Sequence, residues 1–219
     1  MTDFARLRDR MVEVQLARRG IRDARVLTAM RAVPRERFVD TGLAPYAYRD
    51  SPLPIAAGQT ISQPWIVAAM IEAATLEPGD RVLEVGAGSG YAAAVLGRIA
   101  ARVVAIERHP ALAALARERI AALGYDNVEI HVGDGSCGLA AAAPFDAILV
   151  AAGAPAVPPA LREQLAPGGR LIIPIGAPGE QKLRKLTRTA AACFAEQDLG
   201  TVAFVPLIGA QGWRNGSTE

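Results

Sequence analysis

The stretch RVLEVGAGSGY, residues 81–91, carries the strongest indication of the fold class. Its first five residues form a mainly apolar, β-rich run of the kind expected for a strand buried on both faces. The glycines at 86, 88 and 90 let the backbone turn tightly and approach a ligand closely. The pattern then becomes helical from residue 91 to residue 99. A strand, a glycine-rich turn and a helix in this order predict a ligand loop at the carboxyl edge of a parallel sheet.

The alternation of strand and helix continues beyond this unit. Helical patterns cover residues 111–123 and 159–165, and apolar runs that predict strands cover residues 102–106, 128–132, 145–150 and 170–174. Strands that alternate with helices indicate βαβ units. We therefore predict an α/β fold with a Rossmann-like, doubly wound and mostly parallel sheet.

The segment before this sheet is predicted to be mainly helical. Apolar residues recur at three- and four-residue steps on one face of residues 3–17, namely Phe4, Leu7, Met11 and Val14. Asp23 can cap a second helix that ends before Pro34, and residues 64–74 predict a third. Residues 41–58 are rich in Pro, Gly and Tyr and predict an irregular or short-stranded connector.

The tail has a different pattern. Three β-rich runs follow one another without a long helix, at residues 183–189, 193–199 and 201–206. Hairpin-linked strands added to the sheet edge explain this pattern. We predict one domain over residues 1–219, with an N-terminal helical extension (1–75) that covers the ligand site, a ligand-binding core (76–176) and C-terminal antiparallel strands (177–219).

Composition excludes several classes of protein. With 51% hydrophobic residues the chain can bury a sizeable core, and its 24 basic and 22 acidic residues are too balanced for a nucleic-acid footprint. Cys137 and Cys193 form neither a metal-binding pattern nor a disulfide framework. The apolar runs are too short to span a membrane, and the first thirty residues lack a signal-peptide core. We expect a soluble cytoplasmic monomer without metal, nucleic-acid or membrane partners.

The spacing of the glycines limits the class of ligand that the loop can bind. It is Gly-x-Gly-x-Gly, which is neither the dinucleotide fingerprint nor a phosphate-binding P-loop. Glu84 precedes the loop, and Glu107 ends the next strand, where a carboxylate can accept hydrogen bonds from both hydroxyls of an unphosphorylated ribose. Asp134 ends the third strand and can accept from an exocyclic amine. The structural alternatives are a capping role for Glu107 and an Asx turn at Asp134.

An adenosine ligand without phosphate-binding machinery points to S-adenosyl-L-methionine. The set Glu84, Gly86, Gly88, Glu107 and Asp134 resembles the Rossmann-like class I methyltransferases that use this cofactor.

A closer resemblance covers residues 10–213. The segments that carry it are Asp23–Leu27, Val33–Val39, Gly58–Pro64, Val82–Tyr91, Leu165–Leu171 and Phe204–Leu207. In this order they resemble the protein-L-isoaspartate O-methyltransferase family, and TISQP at residues 60–64 and the Val-Pro-Arg-Glu element at residues 33–36 are the more specific parts. The sequence departs from this family at three positions: Ala87 and Ala92 replace larger or polar residues that are common in the family's loop, and Trp65 is bulkier than expected. None of them removes a group that the chemistry needs, so they concern cofactor affinity more than activity. The implied activity is methyl transfer from S-adenosyl-L-methionine to the free α-carboxylate of L-isoaspartyl residues in damaged proteins, with S-adenosyl-L-homocysteine as product.

The resemblance also implies the site residues. Ser62 lies beside the methyl-transfer centre and is the catalytic residue. The implied cofactor-binding residues are Thr60, Ser62, Glu84, Gly86, Gly88, Gly90, Glu107, Arg108, Asp134 and Gly135. The implied substrate-binding residues are Thr60, Ile61, Ser62, Val205 and Pro206.

The residues themselves leave alternatives open. Thr60 or Ser62 can instead cap the helix that begins at Pro64. An acceptor carboxylate is already ionised at neutral pH, so the reaction needs no general base, and we assign His109 and His131 to packing or to the surface. A methyltransferase for another acceptor and a non-catalytic binding module are the competing functions.

Overall fold

A computed structural model describes residues 2–190 and 193–214. The described residues contain a two-stranded hairpin, formed by β1 (Leu53–Pro54) and β2 (Thr60–Ile61), and a seven-stranded sheet in the order β5-β4-β3-β6-β7-β8-β9. The sheet strands are β3 (Arg81–Val85), β4 (Arg102–Glu107), β5 (Val128–Val132), β6 (Phe145–Val150), β7 (Leu165–Ile175), β8 (Gln181–Arg188) and β9 (Phe194–Val202).

The sheet order creates the ligand crevice. Strands β5, β4, β3, β6 and β7 are parallel, whereas β8 and β9 are antiparallel additions at one edge. The chain moves from β3 outward to β4 and β5, and then returns to the other side of β3 as β6. The carboxyl ends of β3 and β6 therefore form a topological switch point, where doubly wound sheets bind their ligands. The predicted fold class is confirmed.

Six α-helices are present in the described part of the chain. They are α1 (Phe4–Arg10), α2 (Ala24–Ala32), α3 (Pro64–Ala74), α4 (Tyr91–Gly97), α5 (Pro110–Ala122) and α6 (Pro159–Glu163). Short 3₁₀ turns lie at Arg35–Phe38, Thr41–Tyr46, Ala56–Gly58, Gly135–Cys137 and Ala140–Ala142. The predicted helices exist within a few residues of these bounds, although Leu165 starts β7 and does not end α6.

The first helix departs from prediction in its second half. It continues from α1 as a π-helical segment, Met11–Leu16, and ends at the left-handed Gly20. A π-helical turn contains more residues than an α-helical one, so it rotates the following side chains away from the predicted face. Val14 is consequently 38% exposed, while Val12 is fully buried. The placement of Val14 on the apolar face was wrong.

The third predicted tail strand was also wrong. Thr201 and Val202 belong to β9, and the segment after them adds no strand to the sheet. Gly153 N donates to the Val205 carbonyl, and Leu207 N donates to the Gly153 carbonyl, both at 2.8 Å. The extended backbone after β9 is therefore used to cover the loop that follows β6.

The N-terminal helices and the sheet share a core. Met11 and Met30 belong to one buried cluster with Val82 and Val103 of the sheet. A second cluster fills the other face and includes Leu83 and Ile148. The helical extension is thus packed against the sheet face, which positions residues 58–64 close to the carboxyl edge. The division into three segments stays a prediction.

Candidate active site

A cleft opens at the switch point. Its walls come from the end of β3 and the glycine loop, from the end of β4, from residues 59–62, and from the tail at residues 204–208. Residues 59–62 precede β3 in the chain, whereas residues 204–208 follow β9. Segments that are distant in the sequence therefore meet at the edge where the fold predicts a ligand.

The glycine loop has the backbone geometry that its sequence predicts. Gly86, Gly88 and Gly90 all have positive φ, at 91°, 53° and 88°. Gly86 and Gly88 line the cleft. Gly90 does not, and a Cβ there would lie 3.2 Å from the Cβ of Ala116 on α5. Gly90 therefore permits close packing of α5 against the start of α4.

Glu107 joins the glycine loop to the next strand. Its Oε2 accepts from Gly88 N and its Oε1 accepts from His109 N, each at 2.9 Å. The side chain is buried, yet it lines the cleft. A carboxylate has about four acceptor positions, so two remain for donors of a ligand.

Glu84 presents an unsatisfied carboxylate to the same cleft. Its side chain is 2% exposed, and Oε2 is buried with no hydrogen-bond partner among the described residues. Burial raises the pKa of Glu84 well above its ordinary value, and repulsion from Glu107 adds to this rise. A buried acceptor without a donor is costly, so the position favours a ligand that brings donors or positive charge.

Asp134 binds the tail of the chain. Its Oδ1 accepts from Ser136 N and from the Ser136 hydroxyl, and its Oδ2 accepts from Ala210 N at 2.7 Å. Burial raises its pKa, but these hydrogen bonds outweigh that effect and lower the pKa overall. The Asx turn considered for Asp134 is present, with a long-range bond added to it. Asp134 itself does not line the cleft, whereas Gly135 does.

The tail wall is held by a buried amide. Gln181 is fully buried, and its side chain donates to the Phe204 carbonyl and accepts from Phe204 N. Gly153 lies against this amide, because a Cβ there would be 2.2 Å from Gln181 Nε2. Trp213 Nε1 donates to the Gly153 carbonyl at 3.0 Å. These contacts fix Val205 and the residues next to it in the cleft wall.

The segment of residues 58–64, which we name the GQTISQP segment, forms the remaining wall. Within it Thr60 is exposed, Ile61 is buried and Ser62 is half-buried. Helix α3 begins at Pro64. Its first backbone N–H, that of Trp65, donates to Asp50 Oδ1 at 3.1 Å. Among the described residues neither Thr60 nor Ser62 caps this helix, so the capping alternative was wrong.

Comparison with known proteins decides the family. The sequence model described as protein-L-isoaspartate(D-aspartate) O-methyltransferase matches residues 6–212. The chain belongs to this family. It is 62% identical over 206 residues to the protein-L-isoaspartate O-methyltransferase of Methylorubrum extorquens strain PA1, covering 94% of this chain and 90% of that protein. It is 56% identical over 219 residues to protein-L-isoaspartate O-methyltransferase 1 of Rhodopseudomonas palustris strain HaA2, covering 100% of this chain and 89% of that protein.

Solved structures of protein-L-isoaspartate O-methyltransferases share the fold over almost the whole chain. One, from Plasmodium falciparum in complex with S-adenosyl-L-homocysteine, aligns with a TM-score of 0.80 at 30% identity and covers 92% of this chain and 98% of that one. Another aligns with a TM-score of 0.86 at 29% identity and covers 94% of this chain and 67% of that one. The predicted family, enzyme class and cofactor are confirmed.

Most residues that the resemblance to this O-methyltransferase family implied meet in the cleft. Those lining it are Thr60, Ile61, Ser62, Glu84, Gly86, Gly88, Glu107, Arg108, Gly135, Val205 and Pro206. Gly90 and Asp134 lie outside the lining and support it. The assignment of individual roles stays a prediction.

Sequence reasoning missed several residues of the methyltransferase cleft. Ala151 and Ala152 follow the carboxyl end of β6, and Phe204 directly precedes Val205, so the carboxyl-edge rule and the tail motif pointed towards them. Gln59 directly precedes Thr60 within the Gly58–Pro64 segment, so that motif pointed towards it as well, whereas Ile208 carries no comparable signal. Asp50 and Gln181 support the walls through contacts that only the fold reveals.

The three unusual positions of this O-methyltransferase differ in location. Ala87 and Ala92 line the cleft, so their small side chains bear directly on its shape. Trp65 lies outside the lining, and the Arg19 guanidinium lies 5.0 Å from the centre of its ring. Of the two histidines, His109 lines the cleft and donates its backbone N–H to Glu107, whereas His131 is half-buried on β5 and lies outside it.

Residues 2–190 and 193–214 contain no group of three or more His, Cys, Asp or Glu side chains that is arranged to hold a metal ion. No helix in these ranges has both the length and the apolar composition required to cross a bilayer.

Proposed function

We propose that this cleft transfers a methyl group from S-adenosyl-L-methionine to the free α-carboxylate of L-isoaspartyl residues in damaged proteins and peptides, which initiates their repair. The observation that carries the proposal is that Ser62 shares one cleft with Glu84 and Glu107. The two acids come from the sheet and Ser62 comes from the N-terminal segment. The cleft therefore joins an acidic cofactor side to an uncharged acceptor side.

The cofactor side fits S-adenosyl-L-methionine. The unpartnered Oε2 of Glu84 would accept from an ammonium group, and the free acceptor positions of Glu107 would take the ribose hydroxyls. Gly86 and Gly88 leave the backbone open to close approach. When bound, this cofactor supplies a methyl group on a cationic sulfur.

The acceptor side needs to position a carboxylate and exclude water. An α-carboxylate has a pKa of about 3.3–3.7, so it is ionised at neutral pH and no proton has to be removed. A carboxylate oxygen would form the new bond to the methyl carbon while the bond between that carbon and sulfur breaks. The electron pair of the broken bond would stay on sulfur. The Ser62 hydroxyl would orient the carboxylate by donating a hydrogen bond. Ile61, Val205 and Pro206 would keep water from the site.

A paired-peptide assay tests this function. Two peptides that differ only in an isoaspartyl or aspartyl linkage are incubated with the enzyme and S-adenosyl-L-methionine labelled in its methyl group. We expect base-labile label in the isoaspartyl peptide only. Equal labelling of both peptides, or cofactor binding without transfer to either, would contradict the proposal and would favour another acceptor or a non-catalytic binding module.

We also propose that the protein acts in the cytoplasm as a monomer. Cys137 and Cys193 are both free, which suits a reducing compartment. Only four large apolar side chains are exposed among the described residues, namely Val14, Tyr46, Leu115 and Val132. Light scattering behind a sizing column tests the monomer, and a dimer at micromolar concentration would contradict it.

A further inference from the structure

Arg35 is the largest fully buried side chain among the described residues. It lies in the Val-Pro-Arg-Glu element that supports the family resemblance, but the proposed chemistry gives it no task. An arginine buried without a bonded carboxylate is expensive, and an apolar residue of similar volume is often neutral or stabilising in such a place. Stability alone therefore does not explain this residue.

The guanidinium of Arg35 joins three separate parts of the chain. Its Nε donates to the Ala47 carbonyl at 2.7 Å, and its Nη2 donates to the Ser62 carbonyl at 2.8 Å. Its central carbon lies 4.8 Å from the ring centre of Tyr91. Nη1 is buried with no hydrogen-bond partner among the described residues. The connector of residues 41–58, the GQTISQP segment and the start of α4 therefore all contact the Arg35 guanidinium.

The ring beneath the guanidinium is fixed in its turn. Tyr91 follows the glycine loop, begins α4 and lines the cleft. Phe38 packs edge-on against it, with ring centres 5.6 Å apart. The ring is a neutral phenol at neutral pH, and burial raises the pKa of Tyr91 further, to about 12. A neutral, held ring is a suitable platform for a cation.

We infer that Arg35 is a positioning residue, which sets the backbone of Ser62 relative to the glycine loop. The inference rests on the proposed function for the catalytic task of Ser62, but the positioning itself is independent of it. Arginine suits the task because its planar fork donates in two directions while its face stacks on a ring. Lysine keeps the charge but has a single donor centre and does not stack in this way.

The test compares Arg35→Lys with a matched control, Arg170→Lys. Arg170 also donates to backbone carbonyls, those of Ala74, Thr75 and Asp146, and in addition forms an ion pair with Asp80. It lies opposite Ala147 near the start of β6, away from the carboxyl edge of the sheet. We expect Arg35→Lys to bind S-adenosyl-L-homocysteine within about threefold of wild type and to lose about tenfold to a hundredfold in kcat/KM for an isoaspartyl peptide. Arg170→Lys should lose thermal stability and keep its kcat/KM.

Hydrogen exchange separates this inference from the proposed function. In Arg35→Lys, amide exchange across residues 58–64 should rise by at least about tenfold over wild type, while in Arg170→Lys it should be unchanged. This result supports positioning even if the wild-type enzyme methylates no isoaspartyl peptide, in which case only the proposed function fails. Unchanged exchange in residues 58–64, or an equal loss of kcat/KM in both variants, overturns the inference.

A second variant covers the case in which Arg35→Lys does not fold. Tyr91→Leu leaves Arg35 and both of its backbone acceptors in place and removes the ring beneath the guanidinium. Exchange across residues 58–64 should again rise over wild type, and kcat/KM should fall below wild type. Wild-type exchange in Tyr91→Leu overturns the role of the stack and, with it, the inference.

Discussion

The Oε2 atom of Glu107 accepts a hydrogen bond from Gly88 N at 2.9 Å, so the end of β4 fixes the turn that follows β3. One carboxylate therefore shapes the glycine loop and also faces the cleft. A change at this position should affect the ligand twice, through the loop and through the lost acceptor.

For Glu107→Gln we expect weaker binding of S-adenosyl-L-homocysteine. The amide keeps one acceptor oxygen but presents an NH₂ group to a backbone N–H, so one bond to Gly88 or His109 is lost. The ribose hydroxyls of the ligand also lose a charged acceptor; such a hydrogen bond contributes about 1.5–3 kcal/mol, and its loss corresponds to a dissociation constant roughly tenfold to a hundredfold higher. Calorimetric titration measures this change. Glu118→Gln, at an exposed position of α5, is the control, and equal affinities in both variants would contradict the prediction.

For Glu84→Gln we expect the free protein to become more stable than wild type as the pH rises. Burial raises the pKa of Glu84 above its ordinary value of 4.5, so above pH 4.5 the folded state binds more protons than the unfolded state. Stability contributed at this site therefore falls with rising pH, up to the raised pKa. Glutamine does not titrate, so the difference in melting temperature between variant and wild type should grow from pH 5 to pH 8. A difference independent of pH would show that Glu84 titrates normally.

For Ser62→Ala we expect loss of turnover with cofactor binding retained. The hydroxyl is the acceptor-facing donor in the proposed site, and a misplaced carboxylate reacts roughly tenfold to a hundredfold more slowly. Steady-state kinetics with an isoaspartyl peptide give kcat, and calorimetry gives the affinity for S-adenosyl-L-homocysteine. Thr28→Ala, on the exposed face of α2, should behave as wild type. Full turnover of Ser62→Ala at saturating peptide would remove Ser62 from the mechanism.

For Asp134→Ala we expect the tail to loosen. The variant removes the acceptor for Ala210 N and for the Ser136 hydroxyl, which itself accepts from Gln211 N at 3.0 Å. Exchange at residues 209–211 should rise, and the free energy of unfolding should fall by about 1–3 kcal/mol. Asp126→Ala, at an exposed loop position, should change neither quantity. If exchange at residues 209–211 stays slow, the tail is held by other contacts, such as that between Trp213 and Gly153.

Much of the fold was predictable because parallel strands buried on both faces appear as continuous apolar runs. Strand β3 was predicted with its observed bounds, and β4 to within one residue. The π-helical segment after Arg10 was not predictable, since Val12 and Val14 are equally apolar and only packing chooses between them. The last predicted strand failed for a similar reason, because the partner of residues 205–207 is Gly153 and not a neighbouring strand.

The site residues likewise include some that the sequence predicts and some that it does not. Glu84 and Glu107 follow from the rule that ligands lie at the carboxyl ends of strands, and Ser62 follows from a motif. The roles of Arg35, Asp50 and Gln181 depend on partners 27, 15 and 23 residues away. No local pattern encodes such pairs, so only the folded chain reveals them.

The hydrogen bond from Trp65 N to Asp50 separates the capping of α3 from the lining of the cleft, two tasks that fall on neighbouring residues in the sequence. Helix α3 receives its terminal acceptor from a residue outside residues 60–63. The two less buried positions are consequently available for variation: a library at Thr60 and Gln63 can explore new acceptors without removing the cap of α3 and without disturbing Ile61, which is part of the core. The enzyme is in this respect a scaffold whose selectivity can be altered separately from its folding.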